Sequence, residues 1–463
     1  MNPAPEAIVL TLPADARFGI SRRQRVLWPA AAFVASWILY FGLVFGLPVR
    51  YPSDYFWTAI ATLVAFVGAT ALTALLVDDL LAPLASRTQH VRRVRCLSAN
   101  EVHFLIGAAL VFSAVGVLGA AYDRVVIQGI DYTQGIGVAR HLWLSAGEER
   151  DSISSPFSVL GYVFGFTFFA AAALAHLHWE ILSTNWRRLV IVGVVISLMA
   201  NSFLSGNRST VLLLGIMLLS TAVIRRMQGR KILPGSAFST LIRVSIVSLV
   251  ALTYGIYVFS ARASAGGLDA FAYVDAFLPF LTAEATPAMR SFEKLPDGVS
   301  GASALGVMAG VYVAHSAGAL GEVMAVRERP GQGSFAFARL LLSKLGIIRE
   351  QGQQRLLEGR LLSMPGGIYY DFGFVGMFIA AALLGMGLVC VGLAVSRHWR
   401  GGIALAVTLA VMATVLATPV ALSFDMLAFP FMLFGFFLLH LAHRLRYPPG
   451  SWWGSPVLFA ARE

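Results

Sequence analysis

The stretch Gly301–Val326, GASALGVMAGVYVAHSAGALGEVMAV, is small, apolar and sparsely charged. It lies inside Ala261–Pro365, which is the longest interval between strongly apolar segments in the chain. A segment of this composition should lie against a lipid bilayer or dip into it, covering what lies beneath. We therefore expect the interval 261–365 to form the roof of a functional site.

The chain as a whole is strongly apolar. Of its 463 residues, 57% are hydrophobic and 13% are charged, and the mean hydropathy is +0.74. Soluble domains carry about 25% charged residues, so the composition indicates a polytopic membrane protein with one integral domain, 1–463. The formal charge of +11 sits mostly in short loops beside apolar segments, where it sets topology. The expected partners are therefore membrane lipids and not nucleic acid.

A spanning helix needs about 20 apolar residues, and about ten segments come near that length. The predicted fold class is an all-α, polytopic transmembrane helical bundle whose long external loop contains membrane-associated helices. The segments are Val26–Leu47, Tyr55–Val77, His103–Tyr122, Pro156–His178, Leu189–Leu204, Val211–Ile224, Leu241–Ser260, Gly366–Val395, Ile403–Val420 and Leu427–Ala442.

Basic clusters fall at alternate ends of these segments and predict the topology. All of them lie on one side if both termini are cytoplasmic, as the positive-inside rule requires. The interval 261–365 is then a long external loop, and 123–155 is a shorter external loop of mixed charge.

One segment is anomalously short. From Arg208 to Arg225 is 17 residues, or about 25 Å of helix, against a hydrocarbon thickness of about 30 Å. If Arg225 and Arg226 reach the inner interface, Arg208 must snorkel outward or face protein or a water-filled cavity. An ionisable residue in such a position is a functional-site candidate; the alternative is an interfacial arginine at a helix end.

Other arginines are expected on the same external side. Arg262 immediately follows an apolar segment, Arg290 lies further along the loop, and the cationic stretch from Arg327 to Arg360 includes Arg339 and Arg355. Guanidinium groups bind phosphate bidentately and stay charged. Converging arginines would therefore suit a diphosphate without a metal, and no metal-ligand spacing is present in the sequence.

The roof segment also offers a candidate base. Tyr312, His315, Ala319 and Glu322 follow helical spacing, which would place the polar groups on one face. His315 could accept a proton from a sugar hydroxyl, because its unperturbed pKa is near neutral; the alternative is a histidine satisfied at the interface. Glu284 is a second candidate base or binding residue.

The apolar segment that follows the long loop opens with Pro365–Gly376, PGGIYYDFGFVG. Tyr369 and Asp371 lie in its first turns, where a carboxylate also complements the helix dipole. The small residues there would let a lipid or sugar approach the backbone closely, so both residues are candidates for substrate binding.

Two of these motifs carry a family resemblance. Leu204–Leu214, LSGNRSTVLLL, resembles the glycine–polar–arginine turn of Wzy-type O-antigen polymerases, and Ser363–Gly376, SMPGGIYYDFGFVG, resembles that family's second recurrent stretch. Arg262, just after a spanning helix, is similar too. The resemblance covers Leu189 to Val395.

The resemblance implies a bacterial inner-membrane glycosyltransferase of the GT-C type, with its active site facing the periplasm. It would move a growing glycan from undecaprenyl pyrophosphate to the next lipid-linked repeat unit, as part of polysaccharide or lipopolysaccharide biosynthesis, without metal or other cofactor. Arg208 and Arg262 would hold the diphosphate, and a base in the loop would activate the acceptor hydroxyl. A chain-length-regulating membrane protein is a further expected partner.

Two alternatives remain open at this point. An O-antigen ligase would use the same donor but transfer the glycan to lipid A–core. A transporter or flippase of lipid-linked oligosaccharides would form no glycosidic bond. Transporters often show paired halves and midplane charges, and this sequence shows neither.

Overall fold

The computed structural model describes residues 22–86, 97–148, 154–205, 209–233, 249, 253–325, 342, 362–396, 402–421 and 428–447. These residues are almost entirely helical, with one two-stranded ladder. The predicted all-α fold class is therefore confirmed.

The helices and strands are numbered here in chain order. They are α1 Arg22–Gly46, β1 Val49–Arg50, α2 Phe56–Ser86, α3 Ala99–Tyr122, α4 Ile136–Glu148, α5 Pro156–Gly165, α6 Phe168–Leu177, α7 Thr184–Ser205, α8 Ser209–Met227, α9 253–265, α10 Ala270–Phe277, β2 Glu284–Ala285, α11 Pro287–Arg290, α12 Asp297–Ala314, α13 Ser316–Ala325, α14 Met364–Ser396, α15 Gly402–Ala417 and α16 Ala428–Arg446. A π-helical turn, Asp123–Ile127, extends α3, and short 3-10 turns lie at Trp179–Ile181, Pro279–Leu281 and Ser291–Lys294.

Within the described residues, eight helices are long and apolar enough to cross a membrane, and the α12–α13 pair raises that number to nine if it is one span. These eight match eight of the ten predicted segments. Of the other two, Leu241–Ser260 lies partly outside the described residues, and Ile403–Val420 corresponds to the shorter helix Ile403–Ala417. The chain is a multi-pass membrane protein.

Side-chain exposure supports this description. Leu39, Leu80 and Val375 are each more than 70% exposed on the flanks of apolar helices, and large contiguous apolar surface is rare on soluble monomers. The interior divides into two apolar clusters. One lies among α3, α6, α7, α8, α15 and α16, and the other among α1, α2, α10, α12, α13 and α14.

Glycines bring several of these helices into close contact. A Cβ at Gly116 would lie 2.1 Å from the backbone nitrogen of Gly165, and a Cβ at Gly161 would lie 2.8 Å from the Cβ of Ala120. Small residues are typical of helix contacts in membranes, because lipid supplies no hydrophobic force between helices and close packing must replace it. The α3–α5 pair is therefore held by backbone-to-backbone packing.

Arg225, which the sequence predicts at the inner interface, is fully buried within the protein and pairs with Glu180. Its guanidinium also donates to the carbonyls of His176 at 2.7 Å and Lys231 at 3.0 Å. A buried cation needs such compensation, so Arg225 anchors the last turn of α8 to the end of α6.

The roof segment is not one straight helix. Val299–Ala314 and Ser316–Ala325 meet at His315 with a bend of 51°. The Tyr40 hydroxyl donates to the Ala314 carbonyl at 3.1 Å and lies 2.6 Å from Ser316 Oγ. Ser316 Oγ in turn donates to the carbonyl of Pro419 at 2.8 Å. The expectation that Tyr312, His315, Ala319 and Glu322 share one helix face stays a prediction, and the helix axis changes direction at His315.

The glycine contact between α3 and α5 generates a stability prediction. We expect Gly116→Ala to lower the free energy of unfolding by about 1–3 kcal/mol, because the added methyl group must push the helices apart. A lower melting temperature in detergent would measure this. The matched control is Gly68→Ala, since a Cβ there meets nothing within 4 Å. Equal melting temperatures for the two variants would contradict the close packing.

Candidate functional site

The structure separates the predicted site residues into several places. The predictions for Arg208, Arg339 and Arg355 lie outside the described residues. The remaining six lie in four places: Arg262 at the end of α9, His315 at the roof bend, and two pairs elsewhere. Those pairs are Glu284 with Arg290, and Tyr369 with Asp371.

Arg262 belongs to a cluster of arginines that a close helix crossing creates. Gly137, on α4, lies so near α9 that a Cβ there would be 2.8 Å from the carbonyl oxygen of Ala261. Arg140 lies one turn further along α4, and Arg262 follows Ala261 on α9. The two guanidinium groups are consequently near neighbours. Burial, followed by the charges of Arg262 and then Arg124, lowers the pKa of Arg140 to about 10.

The segment that carries Arg140 also holds the end of α7. Arg140 Nη1 donates to the carbonyl of Ser205 at 2.8 Å, and the Tyr132 hydroxyl donates to the carbonyl of Leu204 at 2.8 Å. The last carbonyls of a helix have no partner within the helix, so these bonds satisfy them. Arg208 follows Ser205 by three residues in the sequence.

Arg124 completes the cluster from the π-helical turn after α3. It is 8% exposed, and its guanidinium lies 4.4 Å from the centre of the Trp143 ring. The hydroxyls of Tyr132 and Tyr162 lie beside the same guanidinium. Because the apolar span continues to Ile127, this charge sits within the last turn of the span. π-Helical turns inside helices are frequent at functional sites.

No carboxylate compensates Arg124 among the described residues. Its Nη1 is buried and has no hydrogen-bond partner in that part of the chain. The neighbouring carboxylate, Asp123, instead accepts hydrogen bonds from Gln128, Ser154 and Ser155. A buried charge without an opposite charge is costly, so an anion would stabilise this arrangement strongly.

Arg124 lines a small pocket between the ends of α3, α5 and α7. The pocket has a volume of about 60 Å³, which exceeds the 10–15 Å³ or so that one water needs. Its polar lining consists of Asp123, Arg124, Trp143, Ser158, Tyr162, Asn201, Ser205 and Thr210. Donors therefore outnumber carboxylates, as suits a small anionic group.

His315 does not line this pocket. It is fully buried, with Nδ1 2.8 Å from the carbonyl oxygen of Tyr312. The Tyr312 ring packs against the His315 ring at 5.7 Å, and Tyr312 is also close enough to Arg140 to influence its charge. The role of His315 as a proton acceptor stays a prediction.

Glu284 and Arg290 line a different feature, an open cleft of about 770 Å³. Glu284 Oε2 accepts from Arg50 Nε at 2.7 Å, and the strands that carry them pair antiparallel. Arg290 Nη2 lies 3.8 Å from Asp275 Oδ1. An exposed, arginine-paired carboxylate is better suited to binding than to proton abstraction, so the pairing favours a binding role for Glu284.

Tyr369 and Asp371 occupy the first turns of α14, as predicted. Tyr369 is buried with its ring edge-on to Phe374 at 4.8 Å, and Asp371 is half-buried. Gly373 has φ +66° and interrupts the helix two residues later. Glycine tolerates this left-handed conformation without steric penalty. The substrate-binding roles of both residues stay predictions.

Arg124, Arg140 and Trp143 were missed by the sequence reasoning. They lie in the shorter loop 123–155, where basic and acidic residues are mixed, so the sequence shows no cationic cluster there. The available signal was an arginine directly after an apolar segment, the same signal that singled out Arg262. Among the described residues, no group of three or more His, Cys, Asp or Glu could hold a metal ion.

Comparisons of the chain with protein-family models, with curated proteins and with solved structures give no match. The role of the arginine cluster therefore has to be argued from its own geometry.

The cluster predicts binding of inorganic pyrophosphate to the purified protein. We expect pyrophosphate to raise the melting temperature of the wild type, because a ligand that binds the folded state stabilises it by mass action. Arg124→Gln should bind pyrophosphate about 10- to 100-fold more weakly, since a hydrogen bond to a charged group contributes about 1.5–3 kcal/mol.

The matched control is Arg188→Gln, which removes an exposed arginine at the opposite end of α7. It should behave as the wild type does, at constant ionic strength. Equal pyrophosphate affinity in Arg124→Gln and Arg188→Gln would show that the buried arginine is not an anion ligand.

Proposed function

We propose that this protein is a membrane glycosyltransferase that polymerises oligosaccharide repeat units carried on a polyprenyl diphosphate. The observation that carries the proposal is the group of Arg124, Arg140 and Arg262 around helix ends, with one buried guanidinium not compensated by a carboxylate in the described chain. A diphosphate group supplies the missing negative charge, and guanidinium groups match its oxygens bidentately.

The placement of the cluster in a membrane supports a lipid-borne ligand. The arginines lie where spanning helices end, at the level where the head group of a lipid would sit beside the polar connections. The basic loops at the opposite ends assign the cluster to the external side by the positive-inside rule. The proposed location is therefore the bacterial inner membrane, with cytoplasmic termini and a periplasmic site.

The proposed reaction transfers the glycan between two lipid carriers. A hydroxyl of the acceptor repeat unit attacks the anomeric carbon of the donor glycan, and the bond from that carbon to the diphosphate oxygen breaks. The hydroxyl proton passes to a base, for which His315 is the candidate. The leaving diphosphate retains the bond's electron pair, and its growing charge is stabilised by the arginines more in the transition state than in the ground state.

The arginines yield a test of activity. Arg262→Gln and Arg208→Ala should insert normally but lose long-chain polymer, with turnover reduced about 10²- to 10³-fold, the usual effect of removing one donor that stabilises developing negative charge. Polymer length on gels and turnover of purified lipid-linked repeat units would measure this. Arg188→Gln is again the control, and normal polymer in both arginine variants would remove the proposal.

A second experiment separates the polymerase from its two rivals. Deletion of a polymerase leaves single repeat units attached to lipid A–core, whereas deletion of a ligase leaves none. Purified polymerase in liposomes should join two lipid-linked repeat units in a new glycosidic bond. A flippase would only move them across the bilayer, so translocation without bond formation would decide for the transporter.

A further inference from the structure

A second ligand-sized feature lies apart from the arginine pocket, in the cleft that Glu284 and Arg290 line. Its volume of about 770 Å³ falls within the range of small-molecule sites, about 300–1,000 Å³. The walls come from β1, α10, α11 and the turns between α10 and α12. The floor is apolar and consists of Leu278, Pro279, Ala283, Ala285 and Pro287.

The walls of this cleft are fixed by long-range contacts. Val49–Arg50 pairs with Glu284–Ala285 across more than 200 residues of sequence. Thr286 Oγ1 donates to the carbonyl of Pro48 at 2.7 Å and also caps α11. A loop bound in this way is preorganised, which reduces the entropy that a ligand must overcome on binding.

A strained residue lies at the base of the same loop. Thr282 has φ +57°, and it is the one non-glycine residue with positive φ in the described chain. Such a conformation is unfavourable for a β-branched residue and tends to persist at ligand sites when the surroundings enforce it. Here α13 enforces it, because a Cβ at Gly318 would lie 2.3 Å from Thr282 Oγ1.

The charges around the cleft balance. Its lining includes three cations, Arg50, Arg290 and Lys294, and three anions, Asp275, Glu284 and Glu293. Both arginines already face a carboxylate. A diphosphate would gain little there, because every cation is matched by an anion. A neutral ligand with many hydroxyl groups could use donors and acceptors together, and its C–H faces could lie on the apolar floor.

The cleft also lies beside the arginine cluster. Helix α10 carries Asp275 in the cleft wall and, two residues earlier, Tyr273, which lies within electrostatic range of Arg140. The two sites therefore flank one helix, which is about 10–12 Å across with its side chains. A chain of several sugars could occupy the cleft while its reducing end approached the arginines.

From these observations we propose that the cleft binds a neutral oligosaccharide, and that Asp275 and Arg290 are its principal polar ligands. The inference rests on the proposed function only in identifying this oligosaccharide as the glycan being transferred. Binding itself does not require that the protein be a polymerase.

The experiment uses the purified full-length protein in detergent and a panel of neutral, lipid-free oligosaccharides of three to six sugars, with saturation-transfer NMR as the readout. Wild-type protein should bind at least one member. The double variant Asp275→Asn with Arg290→Gln should bind it at least about 100-fold more weakly, because two charge-assisted hydrogen bonds are lost. Asp54→Asn, an exposed acidic residue that does not line the cleft, is the matched control.

Three further comparisons make the outcome decisive. An Arg262→Gln variant should bind the oligosaccharide as the wild type does, so loss of polymer with retained binding would separate the two sites. Pyrophosphate should not compete. The carbohydrate assignment is overturned if no member of the panel binds or if the double variant binds normally. It is also overturned if pyrophosphate or a charged peptide occupies the cleft instead. Each of these outcomes counts against the assignment even where polymer synthesis is intact.

Discussion

Backbone carbonyls at helix ends and breaks need donors, and the architecture of this protein depends on that requirement. Within an apolar environment an unsatisfied carbonyl is costly. At the roof bend, Tyr40 donates to Ala314. At the end of α7, Tyr132 and Arg140 donate to Leu204 and Ser205. The same constraint that allows α12 and α13 to bend thus also draws a cation into the bundle, where Arg140 satisfies the last carbonyl of α7.

The two buried arginines of the bundle differ in the partners that surround them. Arg225 and Arg124 are both buried, but Arg225 has Glu180 and several carbonyls as partners, whereas Arg124 has the Trp143 face and tyrosine hydroxyls. A cation satisfied by a carboxylate anchors helices and offers little to a ligand. A cation held by an aromatic face keeps most of its positive potential. Both arginines are buried, but they differ in their partners, and Arg124 is the better suited of the two to bind an anion.

Much of the fold could be predicted from local patterns, but the site could not. Apolar length and basic flanks located eight of the spanning helices because each signal lies within one segment. The bend at His315 has no proline to mark it and depends on Tyr40, far away in sequence. Arg140 meets Arg262 only because Gly137 permits α4 to touch α9, and Glu284 meets Arg50 through a ladder that joins distant segments. Such contacts are tertiary, so a single sequence does not reveal them.

The two candidate sites differ in charge. This difference bears on how a lipid-linked glycan would lie across them. A diphosphate is attracted where cations gather, as Arg124, Arg140 and Arg262 do around the helix ends. A neutral glycan is indifferent to net charge but requires matched donors and acceptors, and these line the cleft. Because α10 separates the two by only one helix, a single molecule with an anionic head and a neutral tail has one favourable orientation across them. Reversed, its diphosphate would lie in a cleft where each cation is already matched by an anion, so the charges favour the first orientation.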